Sequence, residues 1–172
     1  MNLIKWIENN MLAAGRDAGW VGRGDIDMEI ITQPNRIVVR CGTQTDRLDA
    51  TAAAVLRKVM LKKVVKNAQP DRPVILDLHG VNYIDDRGLG AILSVMKMAQ
   101  EKSDMLLCGA GENLQKIFKL TRVDGVLKNY DSIDEAELEA RRRIQQRQAS
   151  GEAVRHVSLL QYFRAKLGGA IH

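Results

Sequence analysis

Hydrophobic positions along this chain change period several times, and each change marks an element. In residues 2–14, Ile4, Ile7 and Met11 recur at helical spacing beside Leu3 and Leu12, which predicts a short amphipathic helix. Gly15, Gly19, Gly22 and Gly24 then crowd one stretch, and residues 15–25 read as a linker. Beyond it the pattern becomes extended. Residues 28–32 and 36–41 read as two strands, the second carrying the β-branched run Ile37-Val38-Val39. Gln33-Pro34-Asn35 supplies the turn between them. Asp49 stands where an N-cap belongs, ahead of a helix over residues 50–67 that Pro70 and Pro73 follow.

The next run, Val74-Ile75-Leu76-Asp77-Leu78, is almost continuously apolar. Continuous patterning predicts a central strand covered on both faces. Residues 88–101 return to helical period, with Leu89, Ile92, Leu93 and Met96 on one face. Met105–Cys108 reads as another buried strand, 113–120 as a helix with Leu114, Ile117 and Phe118 inward, and 126–130 as a last short strand. Ser132 followed by Glu135 is a capping box that opens a final helix. Alternation of this kind predicts an α/β domain: a mixed sheet of four or five strands, an antiparallel pair at its edge, and crossover helices around it.

The organisation expected is therefore an N-terminal helix and Gly-rich linker over 1–25, one domain over 26–136, and a basic helical tail over 137–172. The tail begins with a charged stretch containing Arg141-Arg142-Arg143, which reads as a solvated face. After Ser150-Gly151, Leu159, Phe163 and Leu167 form an apolar stripe beside Leu160, and Gly168-Gly169 closes the segment. Two readings stand for this amphipathic helix. It covers the domain or packs on the N-terminal helix, or it docks a partner, pairs two chains or lies on an anionic membrane.

Composition narrows the function. The 172 residues carry 26 Lys+Arg against 21 Asp+Glu, a net charge of +5. Residues 25–136 hold sixteen of each sign, whereas 137–172 hold seven basic and three acidic groups. The basic excess thus belongs mainly to the tail. With two Trp, three Tyr and two Phe, the chain lacks an aromatic platform for stacking single-stranded nucleic acid, and no direct nucleic-acid partner is expected. No run reaches the roughly 18–20 apolar residues of a membrane span, and the first fifteen residues lack the uninterrupted core of a secretory signal. A cytoplasmic protein with reduced cysteines is the expectation.

Chemistry is sparse. Cys41 and Cys108 are too few for a disulfide framework or a four-cysteine zinc site, and read as small core residues. His79, His156 and His172 show no metal spacing. Gly109-Ala110-Gly111 joins a strand to a helix but lacks the lysine of a P-loop and the third glycine of a dinucleotide fingerprint. A tight turn explains it. The element order assembles no Ser/His/Asp or Cys/His set, so no catalytic machinery is visible and no cofactor or metal is called for.

One stretch carries a more specific signal. Residues 74–90 read VILDLHGVNYIDDRGLG, a buried strand, a connector and a glycine-punctuated helix start. This resembles the STAS domain, the family of bacterial anti-sigma-factor antagonists, whose signature is Asp-Ser-Ser-Gly-Leu-Gly opening a helix. Asp85, Gly88, Leu89 and Gly90 stand in the matching places. Arg47-Leu48-Asp49-Ala50-Thr51 resembles the family's Leu-Asp-Ala segment, and NLQKIFKLTRVDGVL over 113–127 its third helix and following strand. The resemblance implies a non-catalytic switch protein. Its partners would be a serine-kinase anti-sigma factor of the histidine-kinase-like ATPase type and a metal-dependent serine phosphatase. It places the partner surface at Asp85, Asp86, Arg87, Gly88, Leu89 and Gly90, with an edge at Asp46, Arg47, Leu48 and Asp49. The alternative is a scaffold subunit that pairs with itself or joins a larger complex through its terminal helices.

The departures from the signature fall at the site itself. The family's phosphorylatable Ser corresponds to Asp86, and the second Ser to Arg87. Segment 42–46 is also irregular against the pattern. Asp86 stands just before the predicted helix, where unpaired N–H groups and the positive dipole end favour a carboxylate. It reads either as a plain N-cap or as a permanent negative charge where a phosphate would sit, and both can hold together. Aspartate carries one charge against about −1.5 to −2 for phosphoserine, so the mimicry is partial. Gly88 and Gly90 cost helix stability, which suggests close backbone approach to the sheet or to a partner.

Overall fold

The computed structural model describes residues 18–23, 26–41, 45–100 and 102–150, with the backbone alone for 18–23 and 26. The element order begins β1 (Ala18–Arg23), β2 (Ile26–Thr32), β3 (Ile37–Cys41), β4 (Arg47–Leu48) and α1 (Ala50–Val59, continued by one π-helical turn over Met60–Val64). It continues β5 (Val74–Asp77), β6 (Tyr83–Ile84), α2 (Asp86–Gln100), β7 (Met105–Cys108), α3 (Glu112–Leu120), β8 (Asn129–Tyr130) and α4 (Ile133–Ser150). One six-stranded sheet runs β1-β2-β3-β5-β7-β8, and β4 pairs with β6 in a small second sheet. The chain is an α/β protein with a mixed sheet, antiparallel from β1 to β3 and parallel from β3 to β8.

The sixth strand comes from the segment expected to be a linker. Ala18–Arg23 pairs with β2 from Ala18↔Ile31 to Arg23↔Ile26. Strand pairing uses backbone groups, so glycines weaken a strand without forbidding it. The sheet therefore takes in residues of the segment expected to be a linker. The last strand is shorter than its pattern: β8 holds Asn129 and Tyr130, and Val126 lies in the preceding turn.

Both central strands are buried at every residue because both sheet faces are covered. On one face, α1, α2 and α3 enclose Met28, Val39, Leu56, Leu76, Ile92, Leu107 and Phe118. On the other, α4 lays Ala136 and Ala140 on Val38, Ile75, Leu106 and Cys108. Two alanines facing the sheet let the helix approach closely. The Ser132 hydroxyl accepts from the Glu135 N–H at 3.1 Å, the N-cap half of the capping box read from sequence, while the Glu135 carboxylate accepts from the Asp131 N–H at 2.8 Å, one residue before the cap.

The helix α4 crosses residue 136 without a break. Glu137 takes hydrogen bonds from Asn35 and Arg36, both at 2.6 Å, and Arg147 pairs with Asp104. Burial works to raise the Glu137 pKa. Arg141, Asn35 and Arg36 together outweigh it and hold the carboxyl below its ordinary range. The first part of the predicted tail is thus the helix that closes the second face. The arginine run is not wholly solvated either, since Arg142 and Arg143 bind Glu139 and Arg143 also donates to the Tyr130 hydroxyl.

Cys41 and Cys108 are buried and free, on opposite faces of the sheet. Burial pushes both thiols up to about 12. The electrical neutrality of the domain also conceals local bias, because α1 and its π turn carry Arg57, Lys58, Lys62 and Lys63 without one acidic residue.

Candidate functional site

The residues singled out around position 86 and those around position 47 converge in space. Leu48 pairs with Ile84 and Arg47 with Tyr83. The N–H groups of Asn82 and Tyr83 both donate to the Asp46 carbonyl, at 2.7 and 3.2 Å. Alternation does the rest. Leu48 and Ile84 point into the core, while the Arg47 guanidinium lies 4.0 Å above the centre of the exposed Tyr83 ring.

The helix that follows is capped by Asp85, not by Asp86. Its carboxylate accepts from the Gly88 N–H at 2.8 Å, and its carbonyl accepts from the Leu89 N–H at 2.9 Å. Asp86 is already the first residue of α2. The sequence-based cap was one position late because two adjacent aspartates are equivalent until the first helical hydrogen bond is known. Asp85→Ala is expected to lower stability by about 1 kcal/mol, the usual worth of a cap, while Asp86→Ala costs less. Chemical denaturation of the two variants checks the order.

This frees Asp86. Both it and Arg87 are exposed, and neither forms an ion pair among the described residues. Gly88 is buried, and a Cβ there would fall on the Leu48 carbonyl, so the helix start is pressed against β4. Gly90 differs. The nearest atom to a Cβ at that position is an Arg57 nitrogen at 3.9 Å, so no close approach requires glycine.

The predicted edge divides in the same way. Asp46 and Arg47 are exposed, whereas Leu48 is core and Asp49 caps α1 through the Thr51 and Ala52 N–H groups at 2.9 and 3.2 Å. Leu89 is buried as well. The solvent-facing surface at this end is therefore Asp46, Arg47, Asn82, Tyr83, Asp86 and Arg87. Asn82 and Tyr83 carry no signal in the sequence, because a two-residue strand is too short to show a period. Leu159, Leu160, Phe163 and Leu167, like the N-terminal helix over 2–14, lie outside the described residues.

A family model described as the STAS domain matches residues 25–136, most of the chain. The chain belongs to the STAS domain family. A curated relative from Thermotoga maritima, provisionally named an anti-sigma factor antagonist, is 32% identical over 71 residues, 41% of this chain and 63% of that protein. The match thus spans under two thirds of the relative's length. Two solved structures share the fold. The anti-sigma-factor antagonist (STAS) domain protein of Planctomyces limnophilus has a TM-score of 0.59 at 22% identity, covering 66% of this chain and 96% of that one. An anti-sigma factor antagonist from Mycobacterium paratuberculosis has a TM-score of 0.59 at 19% identity, with 70% and 99% covered. This STAS domain has no helix among its described residues long and apolar enough to cross a membrane.

Proposed function

We propose that this STAS domain is a non-catalytic switch protein that binds a serine-kinase anti-sigma factor of the histidine-kinase-like ATPase type. It binds through the exposed start of α2. The observation that carries this reading is the arrangement at that helix start: Asp85 does the capping, so Asp86 and Arg87 stand exposed where the helix is pressed against β4, the strand that carries exposed Arg47. A helix N-terminus with an uncommitted acidic side chain is a surface whose charge a partner can read.

Where relatives of the family type carry a phosphorylatable serine, this chain carries Asp86. A carboxylate accepts no phosphoserine-type ester, so the kinase has no substrate here and a serine phosphatase has nothing to remove. The single charge of Asp86 is smaller than that of a phosphoserine, and Arg87 offsets part of it. The protein acts as a constitutive binder uncoupled from the phosphorylation cycle.

The test uses the full chain, tagged and mixed in turn with each anti-sigma kinase of this type encoded in the source genome. One complex is expected to form and to persist in ATP and Mg²⁺, with no label transferred from γ-labelled ATP. Stoichiometric phosphorylation anywhere in the chain, or no complex with any of these kinases, overturns the proposal.

A further inference from the structure

The sheet register places one polar row across the ends of its strands. Glu29 lies opposite Arg40, Arg40 opposite Asp77, and Asp77 opposite Cys108. The next row inward on the same face is apolar, Ile31, Val38, Ile75 and Leu106, and α4 packs there. The polar row thus forms the rim of that face, at the carboxyl ends of the parallel strands. Ligands favour such ends in α/β sheets.

Within the row the side chains are ordered outward. Glu29 holds the Arg40 guanidinium at 3.3 Å, and the Arg40 Nε holds the Asp77 Oδ2 at 2.9 Å. This leaves the Asp77 Oδ1 turned to His79, whose backbone N–H lies at 3.0 Å and ring Nδ1 at 2.6 Å. Cys108 faces the same carboxylate from the neighbouring strand, opposite Asp77 in the register. The three donor atoms, His79 Nδ1, Cys108 Sγ and an Asp77 oxygen, lie within 4.8 Å of one another. The backbone makes room for this arrangement: Gly109 has φ +72°, and a Cβ there would fall inside the His79 ring. Asp77 and Cys108 are buried, whereas the His79 side chain is 57% exposed, which leaves one side open for an ion to enter.

We propose that Asp77, His79 and Cys108 form a transition-metal site for zinc or an ion of similar preference. A carboxylate, an imidazole and a thiolate are the zinc donor types, and bonds of about 2.0–2.3 Å to a tetrahedral ion set such donors roughly 3.3–3.7 Å apart. The donors here lie within 4.8 Å of one another, His79 Nδ1 and Asp77 Oδ1 at 2.6 Å, so shifts of up to about 1 Å reach that spacing. Water takes the fourth position on the open side of His79. Binding releases the Cys108 thiol proton to solvent, and His79 exchanges the Nδ1 proton it holds against Asp77 Oδ1 for one on Nε2, which frees Nδ1 for the ion. Arg40 orients the carboxylate as hydrogen-bonded partners orient metal ligands elsewhere. Charge balances: the ion and Arg40 face the carboxylates of Asp77 and Glu29 and the Cys108 thiolate, for a net of zero. Sequence spacing hides this set because Cys108 joins it only through strand pairing. The site lies apart from Asp86 and does not depend on the partner reading.

The full chain, reduced and stripped with chelator, is titrated with Co²⁺. The native protein and Cys41→Ser, whose cysteine lies on the other face, are expected to show a near-ultraviolet thiolate-to-cobalt band and the intense visible bands of a tetrahedral ion. Cys108→Ser loses the near-ultraviolet band. The exposed change His79→Ala keeps the fold, checked by circular dichroism, and weakens zinc in competition with a chromophoric chelator by roughly tenfold or more, as loss of one ligand in three requires. No thiolate band in the native chain, a band that survives Cys108→Ser, or unchanged zinc affinity in His79→Ala overturns the proposal.

Discussion

Gly88→Ala is expected to destabilise the domain by about 3 kcal/mol, the upper part of the usual range for overpacking a close contact. A Cβ at this position falls on the Leu48 carbonyl, with the Ile84 side chain 3.0 Å away. The obstacle is backbone in β4, which cannot rotate aside as a flexible side chain would. Relief requires α2 to lift from the β4–β6 pair, which also displaces the helix start that carries Asp86. The melting temperature should fall by roughly 10 °C or more in a domain of this size. Gly90→Ala, two residues on, should do the opposite. Its Cβ enters ordinary space at 3.9 Å from Arg57, so the substitution removes glycine's helix penalty and adds about 0.5–1 kcal/mol. Thermal melts of both variants decide this; equal effects of one sign would show that the packing of the helix start has been misread.

The two glycines also show where sequence reasoning reaches its limit. Both sit in the first turn of a helix and look alike as letters. Only the neighbouring element, β4, separates them. The same holds for Asp85 and Asp86, which differ in which one accepts the Gly88 N–H. By contrast, β5 and β7 are legible because burial on both faces leaves an unbroken apolar run. The Asp49 and Ser132 caps are legible because capping chemistry is local. The edge strand Ala18–Arg23 escapes notice because its pairing is a backbone property and its glycines spell a turn. Tyr83 reaches the surface of the candidate site through a strand two residues long, with Asn82 just before it. Local signals were readable; whatever depended on an adjacent strand or helix was not.

Asp86→Ser is expected to turn a chain that accepts no phosphate into one that is phosphorylated stoichiometrically by the anti-sigma kinase it binds. The fold should tolerate the change. Asp86 is exposed and does not cap the helix, so the loss is confined to its favourable interaction with the helix dipole, about 0.3–1 kcal/mol. The capping bond to the Gly88 N–H, about 1 kcal/mol, belongs to Asp85 and is untouched. A serine at this place is the first residue of α2, with its hydroxyl at the surface, free of the hydrogen bond that Asp85 makes to Gly88. Phosphorylation there raises the local charge from the single one of aspartate to about −1.5 to −2 and adds three acceptor oxygens. At an interface arranged around the smaller charge, the added repulsion and desolvation should weaken kinase binding by roughly tenfold or more, about 1.4 kcal/mol per tenfold. Intact-mass spectrometry after incubation with kinase and ATP reads the first effect, and binding before and after incubation reads the second. If Asp86→Ser folds, binds the kinase and still takes no phosphate, position 86 is not where the kinase acts, and the surface at the start of α2 serves binding alone.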